Sequence, residues 1–215
     1  MTGLTLHGFR PSVYVRVARL ALHLRGLDYT LVEVDPFQPG AAAHNPHPMN
    51  RIPVLDHDGF RLFETRAILT YLDRAFPGAP LLPGDPQAAA RAMQVQGIVD
   101  AYGYWPMVRQ VYVAEAQARD TGAPRDDGML AEGLAAAAPV LRMLEKIAAE
   151  GRVLAGDAPS LADLHLAPMM AYFTIPPEGA EALTAHPALA RWWAWMSARP
   201  EMTATVPGAD QPRKT

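Results

Sequence analysis

Two clusters of proline and glycine divide the sequence into parts of different character. Residues 77–86 contain the runs Pro-Gly-Ala-Pro and Pro-Gly-Asp-Pro. A helix cannot continue through them, because each proline lacks the backbone N–H that helical hydrogen bonding requires. We therefore predict a linker at 79–86 between a domain at 1–78 and a domain at 87–206, with a loose polar tail at 207–215.

The first part alternates strand and helix patterns. Residues 4–7 and 29–34 have the alternation of strands, and between them the apolar residues of 13–24 recur at helical spacing. Ser12 stands where an N-cap is expected, and Gly26 stands where a helix would end. A strand-helix-strand unit crosses over right-handedly, so these two strands should be parallel.

A hairpin and a second helix complete this part. Pro53 leads into the apolar pair Val54-Leu55 at the start of a strand, where the missing N–H of proline costs no ladder bond. An Asp-Gly turn joins this strand to the alternating residues 60–63, and a helical pattern begins at Glu64. The first part is therefore predicted to be an α/β domain with a mixed four-stranded sheet.

The second part is predicted to be all-helical. Helical periodicity occurs at 88–118, with a kink at Pro106, and again at 128–149, 161–173 and 188–197. A capping sequence immediately precedes the third of these helices, with Asp in place of the usual Glu or Gln. We therefore predict two domains of different fold class.

Composition and charge exclude several classes of protein. The net charge is −3 and there is no long basic run, so nucleic acid is not a predicted partner. The sequence has no cysteine, which excludes disulfides, thiolate metal sites and a cysteine nucleophile. No pair of histidines has the spacing of metal ligands. No apolar run approaches the roughly 18 residues of a membrane span and the N-terminus has no signal core, so we expect a cytoplasmic protein without a metal or a membrane partner.

Four motifs occur in an order that resembles the cytosolic glutathione S-transferases. They are Ser-Val-Tyr-Val-Arg-Val at 12–17, Arg-Ile-Pro-Val-Leu at 51–55, Glu-Thr-Arg-Ala-Ile at 64–68 and Ser-Leu-Ala-Asp at 160–163. The resemblance covers residues 2–206 and favours the bacterial, serine-type members, similar to the theta, delta and beta classes. It implies a thioredoxin-like N-terminal domain, an all-helical C-terminal domain, glutathione as co-substrate and a homodimer.

The resemblance also implies a set of glutathione-binding residues. Glu64 would meet the ammonium of glutathione, and Thr65 would offer its hydroxyl and N–H to the γ-glutamyl carboxylate at a helix start. Ile52, before a cis Pro53, would pair its backbone with the cysteinyl backbone as an added strand does. The two arginines of the set would lie near the carboxylates of the peptide. The full set is Arg51, Ile52, Pro53, Glu64, Thr65 and Arg66.

The thiol of glutathione needs a group that stabilises its thiolate. Ser12 would offer a hydroxyl hydrogen bond and the partial positive charge of a helix N-terminus, and it resembles the serine of serine-type transferases. Tyr14 is the alternative, because other classes use a tyrosine hydroxyl. Their tyrosine lies in or just after the first strand, where this sequence has His7. We therefore expect Ser12 to be the donor and keep Tyr14 as its rival.

The second substrate would bind in an apolar pocket. Phe9, Tyr102 and Trp105 are candidates to line it, although the aromatic residues of the second part suit an interhelical core equally well. We predict an enzyme that conjugates glutathione to a small, hydrophobic electrophile, as in detoxification. The alternatives are a glutathione-dependent isomerase, dehalogenase or peroxidase, and a non-catalytic glutathione-binding or protein-interaction module on the same fold.

Overall fold

The computed structural model describes residues 3–207, which form two compact units. The first unit comprises the described residues up to Ala79 together with those from Arg199 onward, and the second is Pro80–Ala198. The first unit combines strands with helices, and the second contains helices without strands. These are the two fold classes that the sequence predicts.

The first unit is built on a mixed four-stranded sheet. Strands β1 and β2 run parallel, as a strand-helix-strand unit requires, and β3 is antiparallel to both β1 and β4. The order across the sheet is β2-β1-β3-β4. In chain order, the strands are β1 (Leu4–Gly8), β2 (Thr30–Glu33), β3 (Val54–His57) and β4 (Phe60–Phe63).

Two helices supply much of the core of this unit. They are α1 (Val13–Leu24) and α2 (Thr65–Ala75), which contact each other. Leu6 of β1, Leu20 of α1 and Leu72 of α2 are fully buried. Burying a leucine side chain contributes about 1.5–3 kcal/mol to folding, so the apolar faces that the sequence pattern predicts hold these elements together.

A short C-terminal helix belongs to the first unit and not to the helical one. This helix, α9 (Pro200–Ala204), contacts α1. Two buried arginines of α1 donate to its C-terminal turn: Nη2 of Arg16 lies 2.9 Å from the carbonyl oxygen of Met202, and Nη1 of Arg19 lies 3.1 Å from that of Thr205. Cations at the carbonyl end of a helix are electrostatically favourable. The sequence analysis placed this segment in the domain at 87–206, because nothing local to it indicates a contact with α1.

The second unit begins with a long helical run that contains widened turns. The run consists of α3, two π-helical segments and α4, and it covers 86–121, compared with the predicted 88–118. Pro106 is the second residue of π2, so the helix widens at this proline and continues. The bounds are α3 (Pro86–Ile98), π1 (Val99–Gly103), π2 (Trp105–Tyr112) and α4 (Val113–Thr121).

Four more helices complete the second unit. Three of them lie where the sequence predicts helices, and α6 has the predicted bounds. The sequence analysis missed α7, because eight residues span only about two turns and give too little periodicity. In chain order, the helices are α5 (Asp127–Ala149), α6 (Leu161–Phe173), α7 (Pro177–Thr184) and α8 (Pro187–Ser197).

Among residues 3–207, no helix is both long and apolar enough to cross a membrane. The predicted tail at 207–215 lies outside the described residues except for its first residue.

A buried carboxylate joins the start of α6 to α8. Ser160 and Asp163 form the predicted capping box, in which the N–H of Ser160 donates to Oδ2 of Asp163 at 2.8 Å. Nε1 of the buried Trp192 donates to Oδ1 of the same carboxylate at 2.7 Å. Burial raises the pKa of Asp163, and the hydrogen bonds from Ser160 and Trp192 oppose that rise. The carboxylate is therefore a hydrogen-bonded centre of the helical core, beyond its role as a cap.

We expect Asp163→Ala to destabilise the second unit strongly. The substitution leaves the Ser160 N–H and the Trp192 Nε1–H without an acceptor and also removes the acceptor of the Ser160 hydroxyl. The two buried N–H groups alone should cost about 2–6 kcal/mol, at about 1–3 kcal/mol for each. Urea unfolding followed by tryptophan fluorescence measures this loss. Asp157→Ala, at an exposed position, is the matched control and should change the free energy of unfolding little. Equal unfolding midpoints for the two variants would show that the buried bonds contribute nothing.

Candidate functional site

The pairing of three strands brings the predicted binding motifs to one edge of the sheet. Val54, the first residue of β3, pairs with His7 of β1 on one side and with Phe63 of β4 on the other. Pro53 precedes this row and Glu64 follows it, so the two motifs lie side by side although eleven positions separate them in sequence. The end of β1 lies in the same row and leads into the loop before Ser12.

Ser12 is the N-cap of α1. Its backbone is extended, at φ −69° and ψ 127°, and its side-chain oxygen accepts the N–H of Val15 at 3.4 Å. The backbone N–H of Ser12 donates to the carbonyl of Phe9 at 2.8 Å, which closes the loop between β1 and α1. This capping bond uses a lone pair of the oxygen, so the hydroxyl hydrogen is left to be donated. Ser12 therefore combines a hydrogen-bond donor with the positive end of a helix dipole.

Tyr14 and His7 have different surroundings from Ser12. Tyr14 is the second residue of α1 and is half-buried. His7 lies on β1, with Nε2 at 3.0 Å from Oδ2 of Asp56, and Arg61 donates two bonds of 2.8 Å to the same carboxylate. The hydrogen bond from Arg61 is the main cause of a lowered pKa at Asp56. His7, which stands where other classes have their tyrosine, thus bonds to Asp56 and through it to Arg61, a network that joins β1, β3 and β4.

The segment before β3 has the predicted backbone geometry. The Ile52–Pro53 peptide bond is cis, which confirms the expectation drawn from the resemblance. Pro53 is buried, Ile52 is half-buried and the side chain of Arg51 is exposed. The carbonyl oxygen of Arg51 accepts a hydrogen bond of 3.0 Å from the side-chain amide of Asn45. The side chain of Asn45, in the connector between β2 and β3, therefore holds this segment in place.

Glu64 occupies an unfavourable backbone conformation at the start of α2. Its φ is 70° and its ψ is 115°, in a region that residues with a side chain rarely adopt, and such conformations cost about 1–3 kcal/mol and cluster at functional sites. Its carbonyl accepts the N–H of Ile68 at 3.0 Å, while three quarters of its side-chain surface is exposed. Thr65 is buried at the first position of α2, and Arg66 beside it is exposed. A carboxylate, a hydroxyl and helix N-terminal N–H groups are thus close together.

The connector between β2 and β3 contributes residues that the sequence analysis left unassigned. Apart from a 3-10 turn at Ala41–Ala43 it is irregular, and side chains satisfy its backbone groups. Asn45 accepts the N–H of His47 at 3.0 Å and donates to Oδ1 of Asn50 at 3.0 Å. Nδ1 of His47 accepts the N–H of Met49 at 3.0 Å. Asn and Pro near a strand indicate turns, but no local pattern indicates that the other nitrogen of this histidine lies near Glu64.

The predicted electrophile-pocket residues are divided between the two units. Phe9 lies in the first unit, in the loop between β1 and α1, and is half-buried. Tyr102 and Trp105 lie in the second unit, on π1 and π2, and are 61% and 64% exposed. Such exposure argues against a role of these two residues in the core of the second unit. Residues 3–207 contain no group of three or more side chains suited to hold a metal ion.

Comparisons with known proteins agree with this fold. A family profile for the glutathione S-transferase N-terminal domain matches residues 6–80, and one for the C-terminal domain matches residues 107–200. Glutathione S-transferase 4 of Zea mays is 31% identical over 200 residues, which are 91% of this chain and 88% of that protein. Maleylacetoacetate isomerase of Rattus norvegicus is 30% identical over 168 residues, or 76% of this chain and 74% of that one.

Solved structures have the same fold. Glutathione transferase F7 from Populus trichocarpa has a TM-score of 0.79 at 29% identity and covers 97% of this chain and 100% of its own. A theta class glutathione S-transferase from Xanthomonas axonopodis pv. citri, solved with glutathione bound, has a TM-score of 0.76 at 25% identity, with 96% and 98% covered. The chain belongs to the glutathione S-transferase family. The predictions of this family, of its two-domain fold and of a transferase enzyme are therefore confirmed, while the bacterial, serine-type subclass stays a prediction.

Proposed function

We propose that the protein activates glutathione as a thiolate and attaches it to a small, hydrophobic electrophile. The observation that supports this best is the strand register, which brings the Ile52–Pro53 segment, the Glu64–Thr65 pair and the end of β1 to one edge of the sheet. Glutathione carries an ammonium, two carboxylates and a thiol, and this edge offers a complement for each of them. The related Xanthomonas structure with bound glutathione supports the same co-substrate.

The γ-glutamyl end of glutathione binds at the start of α2. The exposed carboxylate of Glu64 receives the ammonium in a charge-assisted hydrogen bond. The hydroxyl of Thr65 and the first N–H groups of α2 receive the γ-glutamyl carboxylate, because helix N-termini favour anions. The unfavourable φ of Glu64 supports this role, since a glycine would adopt that conformation without cost but would supply no carboxylate.

The remainder of the peptide binds along the segment that leads into β3. The backbone of Ile52 pairs with the cysteinyl backbone as an added edge strand does, beside Pro53. Arg51 and Arg66 are both exposed, and they act as cations for the carboxylates of the peptide. In this arrangement the cysteinyl sulfur lies near the N-terminus of α1.

Ser12 stabilises the thiolate. Its hydroxyl donates a hydrogen bond to the sulfur while the N-terminus of α1 adds partial positive charge, and both effects favour the anion over the thiol. Serine keeps its own proton, so the step is stabilisation of an anion and not general-base catalysis. Tyr14 is the alternative donor, because it lies two residues further along the same helix.

The identity of the electrophile separates two related activities. Phe9 in the first unit, and separately Tyr102 and Trp105 in the second, are the aromatic residues that we propose as its contacts. The similarity to a maleylacetoacetate isomerase favours, as a second candidate, a glutathione-dependent isomerisation in which the thiolate adds to an activated double bond and leaves again. Assays with an aryl halide and with maleylacetoacetate distinguish conjugation from isomerisation. A protein that binds glutathione but turns over neither class of substrate would be a binding module instead.

We expect Glu64→Ala to weaken glutathione binding. Loss of one partner of a charge-assisted hydrogen bond should cost about 1.5–3 kcal/mol, which isothermal titration calorimetry resolves. Glu132→Ala, at an exposed position of α5, is the matched control and should bind glutathione like the wild type. An unchanged affinity in Glu64→Ala would mean that the γ-glutamyl end binds elsewhere.

We expect Ser12→Ala to slow turnover more at about pH 6.5 than at about pH 9, because above the usual thiol pKa of about 8.5 the thiolate forms unaided. A lost hydrogen bond to a charged group, worth about 1.5–3 kcal/mol, should raise the pKa of the bound thiol by roughly one to two units. The ultraviolet absorbance of the thiolate, followed during a pH titration of the complex, measures that shift. Glutathione affinity should change little.

Two further variants test the assignment of Ser12. One separates its hydrogen bond to the sulfur from its role as a helix cap, and the other tests Tyr14 as the donor. Ser12→Gly keeps most of the N-cap stability, since glycine is a tolerated cap, yet it should lose the thiolate shift as fully as Ser12→Ala. Tyr14→Phe should titrate like the wild type. An upward shift in Tyr14→Phe together with an unmoved titration in Ser12→Ala would assign the donor role to Tyr14.

We also propose a cytoplasmic homodimer that acts in detoxification. The absence of cysteine suits a reducing compartment, and the large exposed side chains of Phe37, Met49 and Phe60 on the first unit suit a protein interface. Light scattering at micromolar concentration should give about twice the chain mass of 23.3 kDa. A value equal to the chain mass would rule out the dimer at that concentration.

A further inference from the structure

His47 is a buried histidine in a connector that is otherwise largely exposed or half-buried, apart from Asn45. Only 4% of its side-chain surface is accessible, whereas His44, three residues earlier, is exposed. The His47 ring packs on the ring of Phe63, with 4.7 Å between the ring centroids. Phe63 is the last residue of β4 and immediately precedes Glu64. The connector is thus fixed against the strand end from which Glu64 emerges.

The hydrogen bonds of His47 decide which ring nitrogen has the proton. Nδ1 accepts the backbone N–H of Met49 at 3.0 Å, so Nδ1 must present a lone pair. In the neutral imidazole the proton then lies on Nε2. The backbone N–H of His47 donates to Oδ1 of Asn45, which holds the residue from its other side. His47 is therefore a buried donor whose orientation the connector itself sets.

That donor lies beside Glu64. Nε2 of His47 lies 3.8 Å from Oε1 of Glu64. A hydrogen bond of about 2.9 Å needs an approach of only about 1 Å, which rotation of the largely exposed glutamate side chain can supply. Catalytic and binding-site contacts of this kind commonly shorten when the ligand arrives. A bond to Oε1 fixes one carboxylate oxygen and leaves Oε2 for the ammonium of glutathione.

We propose that His47 is a positioning residue that orients the Glu64 carboxylate for the γ-glutamyl ammonium. The inference rests on the proposed function, because it presumes that Glu64 receives this ammonium. It adds a residue of the irregular connector to that function. His47 itself does not contact glutathione and acts on its binding only by orienting Glu64. Ring packing on Phe63 and capping of the Met49 N–H are structural roles of the same side chain, so the test must separate them from the effect on Glu64.

His47→Asn and His47→Phe together make that separation. An asparagine side-chain oxygen can accept the N–H two residues further along the chain, as an Asx turn does, so the bond from Met49 is retained. Its shorter side chain does not bring an N–H to Glu64. His47→Phe is the complementary variant, because it keeps the ring packing on Phe63 and removes both nitrogens. His44→Asn, at an exposed position of the same connector, is the matched control.

The decisive measurement is a double-mutant cycle of glutathione affinity. His47→Asn should raise the Kd about threefold to tenfold in the wild-type background, the factor of one ordinary hydrogen bond. In the Glu64→Ala background it should change the Kd by less than about twofold, the scatter seen between independent sites. His47→Phe should follow the same pattern, and His44→Asn should change neither background. The effect should appear in KM for glutathione, with kcat unchanged at saturation.

The outcomes distinguish this inference from the placement of glutathione. If Glu64→Ala weakens binding but His47→Asn weakens it equally in both backgrounds, His47 does not act through Glu64 and the positioning role is wrong. A normal affinity in the Glu64→Ala single variant would overturn the placement of the γ-glutamyl end and the positioning role with it. If kcat falls while KM is unchanged, His47 affects the thiolate step and the inference also fails.

Discussion

Pairing of β3 with strands on both sides is the constraint on which the site depends. Val54 pairs with His7 on β1 and with Phe63 on β4, so one row of the sheet fixes three chain segments at once. A slip of one residue would turn every β3 side chain to the opposite face, so the neighbouring Val54 and Leu55, which are both buried, would exchange faces and lose their packing. The core therefore enforces the register, and the register sets Pro53 beside Glu64.

The connector before β3 is ordered by side chains instead of by secondary structure. Asn45, His47 and Asn50 bond to nearby backbone and to one another, and the amide of Asn50 also donates to the carbonyl of Pro36 at 3.2 Å. Short polar side chains compete well for backbone groups, so a segment rich in them can be specific in structure without being helix or strand. This irregular segment is therefore held in a defined structure beside Glu64, where we propose that glutathione binds.

Buried charged side chains join parts of the chain that are distant in sequence, and each of the three has hydrogen-bond partners. Asp163 accepts from Ser160 and Trp192 in the second unit, while Arg16 and Arg19 donate to the last turn of α9 in the first. A charge removed from water is tolerated only when such bonds replace its hydration. Hydrogen bonds to a buried charge require a particular distance and direction, whereas apolar contacts do not. These bonds therefore specify which helices pack together more narrowly than apolar contacts would alone.

Much of the fold follows from patterns within a few residues of sequence. The Asp58-Gly59 turn, the Ser12 cap and the capping box at α6 involve neighbours in the chain, and each is present in the structure as predicted. The cis bond before Pro53 was expected from the resemblance of its motif to the family and is present. Short helices were missed, since α7 and α9 provide too few turns for a periodic signal.

The sequence by itself determined the four strands, the longer helices, the caps of α1 and α6 and the residue types of the proposed binding motifs, because these depend on local backbone preference and on residue type. Tertiary structure decided that Arg16 and Arg19 hold α9, that Trp192 bonds Asp163, and that His47 lies next to Glu64. Such contacts join residues that are distant in the chain, where a side chain has many possible partners and no local pattern selects one. Only the packed core and the register of the sheet reduce those possibilities to a single arrangement.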